Sequence, residues 1–97
     1  MAHTLTSVMT RRGRENQVDS IYKLDVTSYT TDGIDLGASL AKLMPTEAKL
    51  ISAVSQEGEA RFLTIDDGVL MSYDMDDGEE TADETDIKEW LLHVVGY

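Results

Sequence analysis

Three acid–glycine pairs follow one another at intervals of ten residues in the second half of the chain: Glu57-Gly58, Asp67-Gly68 and Asp77-Gly78. Asp-Gly tolerates the positive φ angles that two-residue hairpin turns demand. This spacing leaves about eight residues for each strand, an ordinary length. A fourth pair, Asp32-Gly33, lies upstream. The turns therefore predict a chain built mainly of antiparallel hairpins.

The segments beside these turns alternate as strands do. In residues 69–75, Val69, Met71, Tyr73 and Met75 alternate with more polar neighbours and Leu70, which indicates a strand with one buried face. Residues 20–29 alternate in the same way, and residues 60–66 form the strand between two turns. The mostly apolar run 49–55 predicts a more buried strand, and the Thr-rich start, 3–9, predicts an edge strand.

One short helix interrupts the strands. Leu36, Leu40 and Leu43 share one helical face, and Pro45 ends the helix because the residue before a proline avoids the helical region. The C-terminal residues 86–97 fit two patterns. As a helix they place Ile87, Trp90, Leu91, Val94 and Val95 on one face, whereas as a strand Trp90, Leu92 and Val94 face one way. Pattern alone leaves both open.

Together these elements predict a mainly β protein: a small single-domain β-sandwich or barrel-like sheet of about six strands with one short helix. The 97 residues suffice for one domain, residues 1–97, and 41% hydrophobic residues suffice for its core. An extended N-terminal arm over residues 1–16 is the alternative for the start of the chain. There is no cysteine, which removes disulfides and thiolate chemistry.

The charge is strongly negative and unevenly distributed. The formal net charge is -11, and all of it arises in residues 57–97, because the first 56 residues carry equal numbers of acidic and basic groups. Such a field repels phosphate backbones, so we expect no nucleic-acid partner. We expect neither a secretory signal nor a membrane partner, because no apolar run approaches the roughly 20 residues that a span needs.

The search for catalytic chemistry finds no motif. His3 and His93 are the only histidines, and no nucleophile motif or Gly-rich phosphate loop accompanies them. The EF-hand registers that place Gly68 or Gly78 at the sixth position fail at their ligand positions. We therefore predict no enzyme, no catalytic or metal site, no cofactor and no small-molecule substrate. A loose cation site at Asp74, Asp76 and Asp77 is the alternative to plain solvation of this segment.

Two charged segments are candidates for partner contact. Arg11, Arg12 and Arg14 form the only basic cluster, and we interpret them as a contact for an acidic partner surface or as an exposed turn. Residues 74–84, DMDDGEETADE, form a like-charge block that we expect to be a solvated loop.

Three segments resemble the small head decoration (cement) and minor virion proteins of tailed bacteriophages. They are the opening MAHTLTSV with the Arg-rich turn after it, YTTDGIDL entering the Leu-rich helix, and the ending TDIKEWLLHVVGY. The positions that carry the resemblance are Tyr29, Gly33, Leu40, Leu43, Gly58, Gly68, Thr85, Asp86, Ile87 and Gly96. The resemblance covers most of the chain and favours a strand at the C-terminus.

This resemblance implies a structural role. The protein would bind the outer surface of a tailed-phage capsid and cement neighbouring capsomers, with the major capsid protein as its partner. It would be made in the host cytoplasm, be located on the virion, and form a homotrimer at three-fold positions. Arg11, Arg12, Arg14 and Tyr29 are the expected contact residues, with the acidic segment directed to solvent. The alternative is an acidic phage inhibitor, or DNA mimic, that binds a nucleic-acid enzyme of the host.

Overall fold

Two antiparallel sheets enclose the core in the computed structural model, which describes residues 3–13, 15 and 17–97. The strands are β1 (His3–Arg12), β2 (Val18–Val26), β3 (Ile34–Asp35), β4 (Ala48–Ser55), β5 (Arg61–Asp66), β6 (Val69–Asp74) and β7 (Lys88–Gly96), and helix α1 (Gly37–Ala41) precedes β4. One sheet has the order β1-β2-β7-β4 and the other β3-β6-β5. The predicted mainly β class with one short helix is confirmed.

The core lies between the inward faces of the two sheets. Every second residue of β2 is buried, from Val18 to Val26, as strand periodicity requires. Strand β7 contributes Trp90, whose indole N–H donates to the carbonyl of Ile87 at 2.8 Å, so its one polar atom is satisfied. The other sheet, the helix and the residues that flank the helix supply further buried side chains, among them Ile34, Leu36, Leu40, Met44, Leu63 and Leu70.

Of the three evenly spaced acid–glycine pairs, Asp67-Gly68 forms the two-residue hairpin turn that the sequence predicts. Asp67 and Gly68 have φ angles of 51° and 80°, so both central residues of the β5–β6 hairpin are left-handed. Gly58 and Gly78 also have positive φ. They lie in longer connections: Gly58 between Ser55 and Arg61, and Gly78 after β6, where the next strand begins at Lys88.

The first and the last of the described strands both lie in the four-stranded sheet. Residues 3–12 pair with β2 along the whole strand as β1, so they belong to the sheet and not to an extended arm. The C-terminal segment is a strand, β7, paired with β2 on one side and β4 on the other. Since each neighbour supplies a ladder of backbone hydrogen bonds, the strand prevails over an equally well patterned helix. Within the described residues, no helix is long and apolar enough to cross a membrane.

Two strands differ from their sequence-based description. In β6 the fully buried residues are Leu70 and Ser72, while Val69, Met71 and Tyr73 are half-buried. Ser72 is accommodated because its hydroxyl group hydrogen-bonds the hydroxyl group of Thr81 at 2.7 Å. Strand β4 was expected to be more buried. It is instead an edge strand, because it pairs only with β7 in the described part of the chain.

Candidate interaction surfaces

The basic cluster and the acidic segment lie at opposite ends of the four-stranded sheet. Arg12 pairs with Val18 at the start of β2, whereas Val26, at its other end, pairs with Lys88. The acidic segment lies at this second end, since the N–H of Glu84 donates to the carbonyl of Tyr29, three residues after Val26, at 2.7 Å. Eight residue steps of strand separate the ends by about 26 Å.

The end with the arginines, here called the basic end, is exposed, and it also carries the carboxylates of Asp19 and Glu47, which lie beside Arg11 and Lys49. The side chain of Arg11 is 83% exposed and lies 3.5 Å from the carboxylate of Asp19. Arg12, the next residue, is exposed as well. Arg14 lies outside the described residues. The two described arginines are therefore available to a partner, and the exposed pair of Arg11 with Asp19 contributes little to stability.

Asp19 also contacts His93 on the outer face of the same sheet. A His93 ring nitrogen hydrogen-bonds the Asp19 carboxylate, on the neighbouring strand. This hydrogen bond, with a smaller contribution from Arg11, lowers the pKa of Asp19. His93 thus lies beside a carboxylate near the basic end, a proximity that the sequence separation of 74 residues conceals.

Tyr29 belongs to the core and holds the acidic segment in place. It is 1% exposed. Its hydroxyl group donates to Glu80 at 2.7 Å and accepts the backbone N–H of Ser72 at 3.2 Å. Burial, with a contribution from Glu80, raises the pKa of Tyr29 to about 12. This buried position does not fit the prediction that Tyr29 contacts a partner.

A second network fixes the start of the acidic segment. The guanidinium group of Arg61 contacts the carboxylate of Asp74 and lies 3.2 Å from that of Glu59. Thr81 donates to the same Asp74 carboxylate at 3.0 Å and also approaches Arg61 at 3.4 Å. All three ionic side chains are less than one-third exposed, so this network is more sheltered than a surface ion pair.

The acidic segment is consequently ordered. Besides Asp74 and Glu80, Asp83 accepts the N–H of Thr31 at 2.9 Å. Only part of the acidic segment matches the expected solvated loop. Its exposed side chains are Asp76, Asp77, Glu79, Asp83 and Glu84. No local pattern marks the structural role of Glu80, because its partner Tyr29 is 51 residues away.

Asp74, Asp76 and Asp77 have the spacing of a cation site. Their carboxylate oxygens lie within 4.8 Å of one another. Asp74, however, already faces a positive charge, because Arg61 contacts it. A metal cation bound at this site would therefore compete with the guanidinium group of Arg61 for the Asp74 carboxylate.

Comparisons with protein-family models, with curated proteins and with solved structures found no match. Function must therefore be inferred from the arrangement of charge and exposed strand edges on this β-fold. The arrangement comprises a basic end, an ordered acidic end and a β core between them.

Proposed function

We propose that this protein is a structural virion protein that binds the outer surface of a tailed-phage capsid through its basic end. The observation that carries the proposal is the separation of Arg11 and Arg12 from the acidic segment by the length of the four-stranded sheet. A rigid β-domain polarised in this way can dock one end on an acidic surface while the other faces solvent.

The proposal includes the partners that the resemblance implies. The major capsid protein is the docking surface, and three copies of this chain assemble at three-fold positions, where they bridge neighbouring capsomers. The protein is made in the host cytoplasm and acts on the virion. No catalytic group or cofactor is part of the proposal, since a cement needs only a rigid shape and a complementary surface.

Co-sedimentation with purified capsids that lack the protein tests the docking end. Charge reversal of Arg11, Arg12 and Arg14 to Glu should abolish most of the bound protein, because these groups supply the cationic contact. The matched control neutralises three exposed carboxylates at the other end: Asp76→Asn, Asp77→Asn and Glu79→Gln. It should bind as the unmodified protein does. Loss of binding in the control alone would place the docking surface at the acidic end.

One observation favours a second candidate function. Because Glu80, Asp83 and Asp74 are held by hydrogen bonds and an ion pair, the exposed carboxylates near them sit on an ordered frame. An ordered acidic surface is what an inhibitor needs in order to occupy the nucleic-acid site of a host enzyme. Pull-down from host extract would recover a nuclease or polymerase in a salt-sensitive complex, and the same three neutralising substitutions would release it.

A further inference from the structure

The two edges of the four-stranded sheet share a property that sets them apart from the other strands. Among the described strands, β1 and β4 are the ones without a carboxylate, although 19 of the 97 residues are acidic. They are also the strands that end the sheet, each paired on one side only within the described residues. In a chain of net charge -11, edges free of negative charge are the places where two copies repel each other least.

Both edges expose aliphatic side chains. On β1, Val8 and Met9 are 58% and 59% exposed, and on β4, Ile51 and Val54 are 60% and 56% exposed. Natural edge strands are usually protected by charges, particularly lysine, by proline or by β-bulges. Here the charged residues lie at the strand ends, as Arg11 and Arg12 do on β1, so the middle of each edge is uncharged and its one irregularity is the register shift at Val8 or Ile51.

Three of the four exposed apolar residues lie at the same height in the sheet, whereas Val54, through Leu91 and Lys23, is level with Thr6. Met9 pairs with Ile21, Ile21 with His93, and His93 with Ser52, so one row crosses the sheet from β1 to β4. Val8 and Ile51 are the residues at which the register shifts in β1 and β4, and each is next to this row. When the two edges pair, these residues can therefore face each other without a shift of one strand along the other.

Strand direction allows the same match. Three successive antiparallel pairings make β1 antiparallel to β4. If a second copy is related to the first by a rotation about an axis parallel to the strands, its β4 is still antiparallel to β1 of the first copy. The β1 edge of one copy can therefore meet the β4 edge of the next as an antiparallel pair, and repetition of this contact can close a ring.

The charges that flank the edges agree with this pairing. In the antiparallel arrangement the Arg12 end of β1 approaches the start of β4, where Glu47 precedes the strand. His3, at the other end of β1, approaches the residues after Ser55, which include Glu57. Lys49, the one charged residue of β4, is itself 3.3 Å from Glu47.

We infer that the β1 edge of one copy binds the β4 edge of a second copy, with Val8 and Met9 packed against Ile51 and Val54. The contact is heterologous, because two different surfaces meet. This inference deepens the self-association in the proposed function, and it does not require capsid docking.

Sedimentation velocity over a concentration series tests the contact with two edge variants. One carries Val8→Lys and Met9→Lys, and the other Ile51→Lys and Val54→Lys. The unmodified protein should form species heavier than the 10.7 kDa chain, and each variant alone should stay at monomer mass. A control with Ala38→Lys and Ala41→Lys, on exposed positions of α1, adds the same charge and should associate as the unmodified protein does.

Mixing the two edge variants provides the decisive result. Each mixture retains one intact β1 edge and one intact β4 edge, so a species of about twice the monomer mass should appear that neither variant forms alone. Circular dichroism checks that both variants are folded. An unmodified protein that stays monomeric, association of either variant alone, or a mixture that stays monomeric would overturn the inference. If the unmodified protein binds virions yet remains monomeric, the inferred contact between copies is wrong, but the proposed docking on the capsid stands.

Discussion

The hydroxyl group of Tyr29 donates a 2.7 Å hydrogen bond to the carboxylate of Glu80, which lies 51 residues further along the chain. The same carboxylate oxygen accepts the N–H of Asp32 at 2.8 Å. The N–H of Ser72 donates to the tyrosine oxygen, so Tyr29 connects the acidic segment to β6. The most acidic part of the protein is thus anchored on a buried neutral side chain.

Replacement of Tyr29 by Phe removes this anchor. The substitution leaves the N–H of Ser72 without the tyrosine oxygen and leaves Glu80 with the N–H of Asp32 alone, so we expect the free energy of unfolding to fall by about 1–2 kcal/mol. Urea titration followed by tryptophan fluorescence measures it. Tyr73→Phe is the control, because that ring stacks on Phe62, and it should change stability by less than about 0.5 kcal/mol. Equal losses in both variants would contradict the assigned role.

Alkaline pH tests the same group by a different route. Burial first, and then Glu80, raises the pKa of Tyr29 from 10.0 to about 12. The unfolded chain therefore releases this proton at lower pH than the folded chain does. The stabilisation is complete below pH 10 and is lost as the pH rises towards about 12. Tyr29→Phe should flatten this part of the stability profile, whereas an unchanged slope would show that Tyr29 titrates normally.

Gly96 is required by the close approach of two chain segments. A β-carbon at this position would overlap the carbonyl oxygen of Glu47, on the segment that leads into β4. We expect Gly96→Ala to reduce the free energy of unfolding by about 2–3 kcal/mol, because backbone cannot move aside as a side chain can. Gly13→Ala is the matched control, since its new β-carbon would come no closer than 3.9 Å to any neighbour, and it should be neutral. Thermal unfolding compares the two.

Arg61 compensates two carboxylates that are sheltered from water. Arg61→Met should lower the free energy of unfolding by about 1–3 kcal/mol, because Asp74 and Glu59 keep their charge without the guanidinium group. Lys42→Met, at an exposed position after α1, removes the same charge and should change stability by less than about 0.5 kcal/mol. If both variants lose equal stability, net charge and not the local network is responsible.

The pKa of Asp19 depends on His93. The hydrogen bond from His93 is the largest cause of its lowered pKa, so His93→Gln should move the pKa of Asp19 upwards. Carboxyl chemical shifts followed by NMR across the acidic range measure this change. Since the folded pKa lies below the unfolded one, Asp19 stabilises the fold at neutral pH, and this contribution is lost as the pH falls. Lys23→Gln, whose partner is Glu89, should leave the titration of Asp19 unchanged.

The architecture follows from local features of the sequence. Asp67-Gly68 demands a left-handed turn wherever it lies, and the alternation of Tyr22, Leu24 and Val26 is buried as predicted. Residues 86–97 could not be assigned from pattern, because Trp90 and Val94 lie on the apolar face of a helix and of a strand alike. Pairing with β2 and β4 on both sides decides the matter, and that pairing is not local.

The arrangement of the charged ends is only partly predictable. The clustering of acidic residues after Asp74 is visible in the sequence, but its order is not. That order depends on Tyr29 and Arg61, which lie on other elements. Tyr29 was assigned to a surface for the same reason, since nothing next to it in the chain indicates that Ser72 and Glu80 enclose its hydroxyl group.

The number of copies of this protein in virions purified from its source tests the central proposal most directly. Quantitative mass spectrometry against the major capsid protein measures it. A copy number close to that of the capsid protein is the predicted result for a cement that covers the lattice, and a few copies per particle would instead indicate a vertex, neck or tail position. Complete absence from virions would contradict the proposal and leave the acidic inhibitor as the function to test.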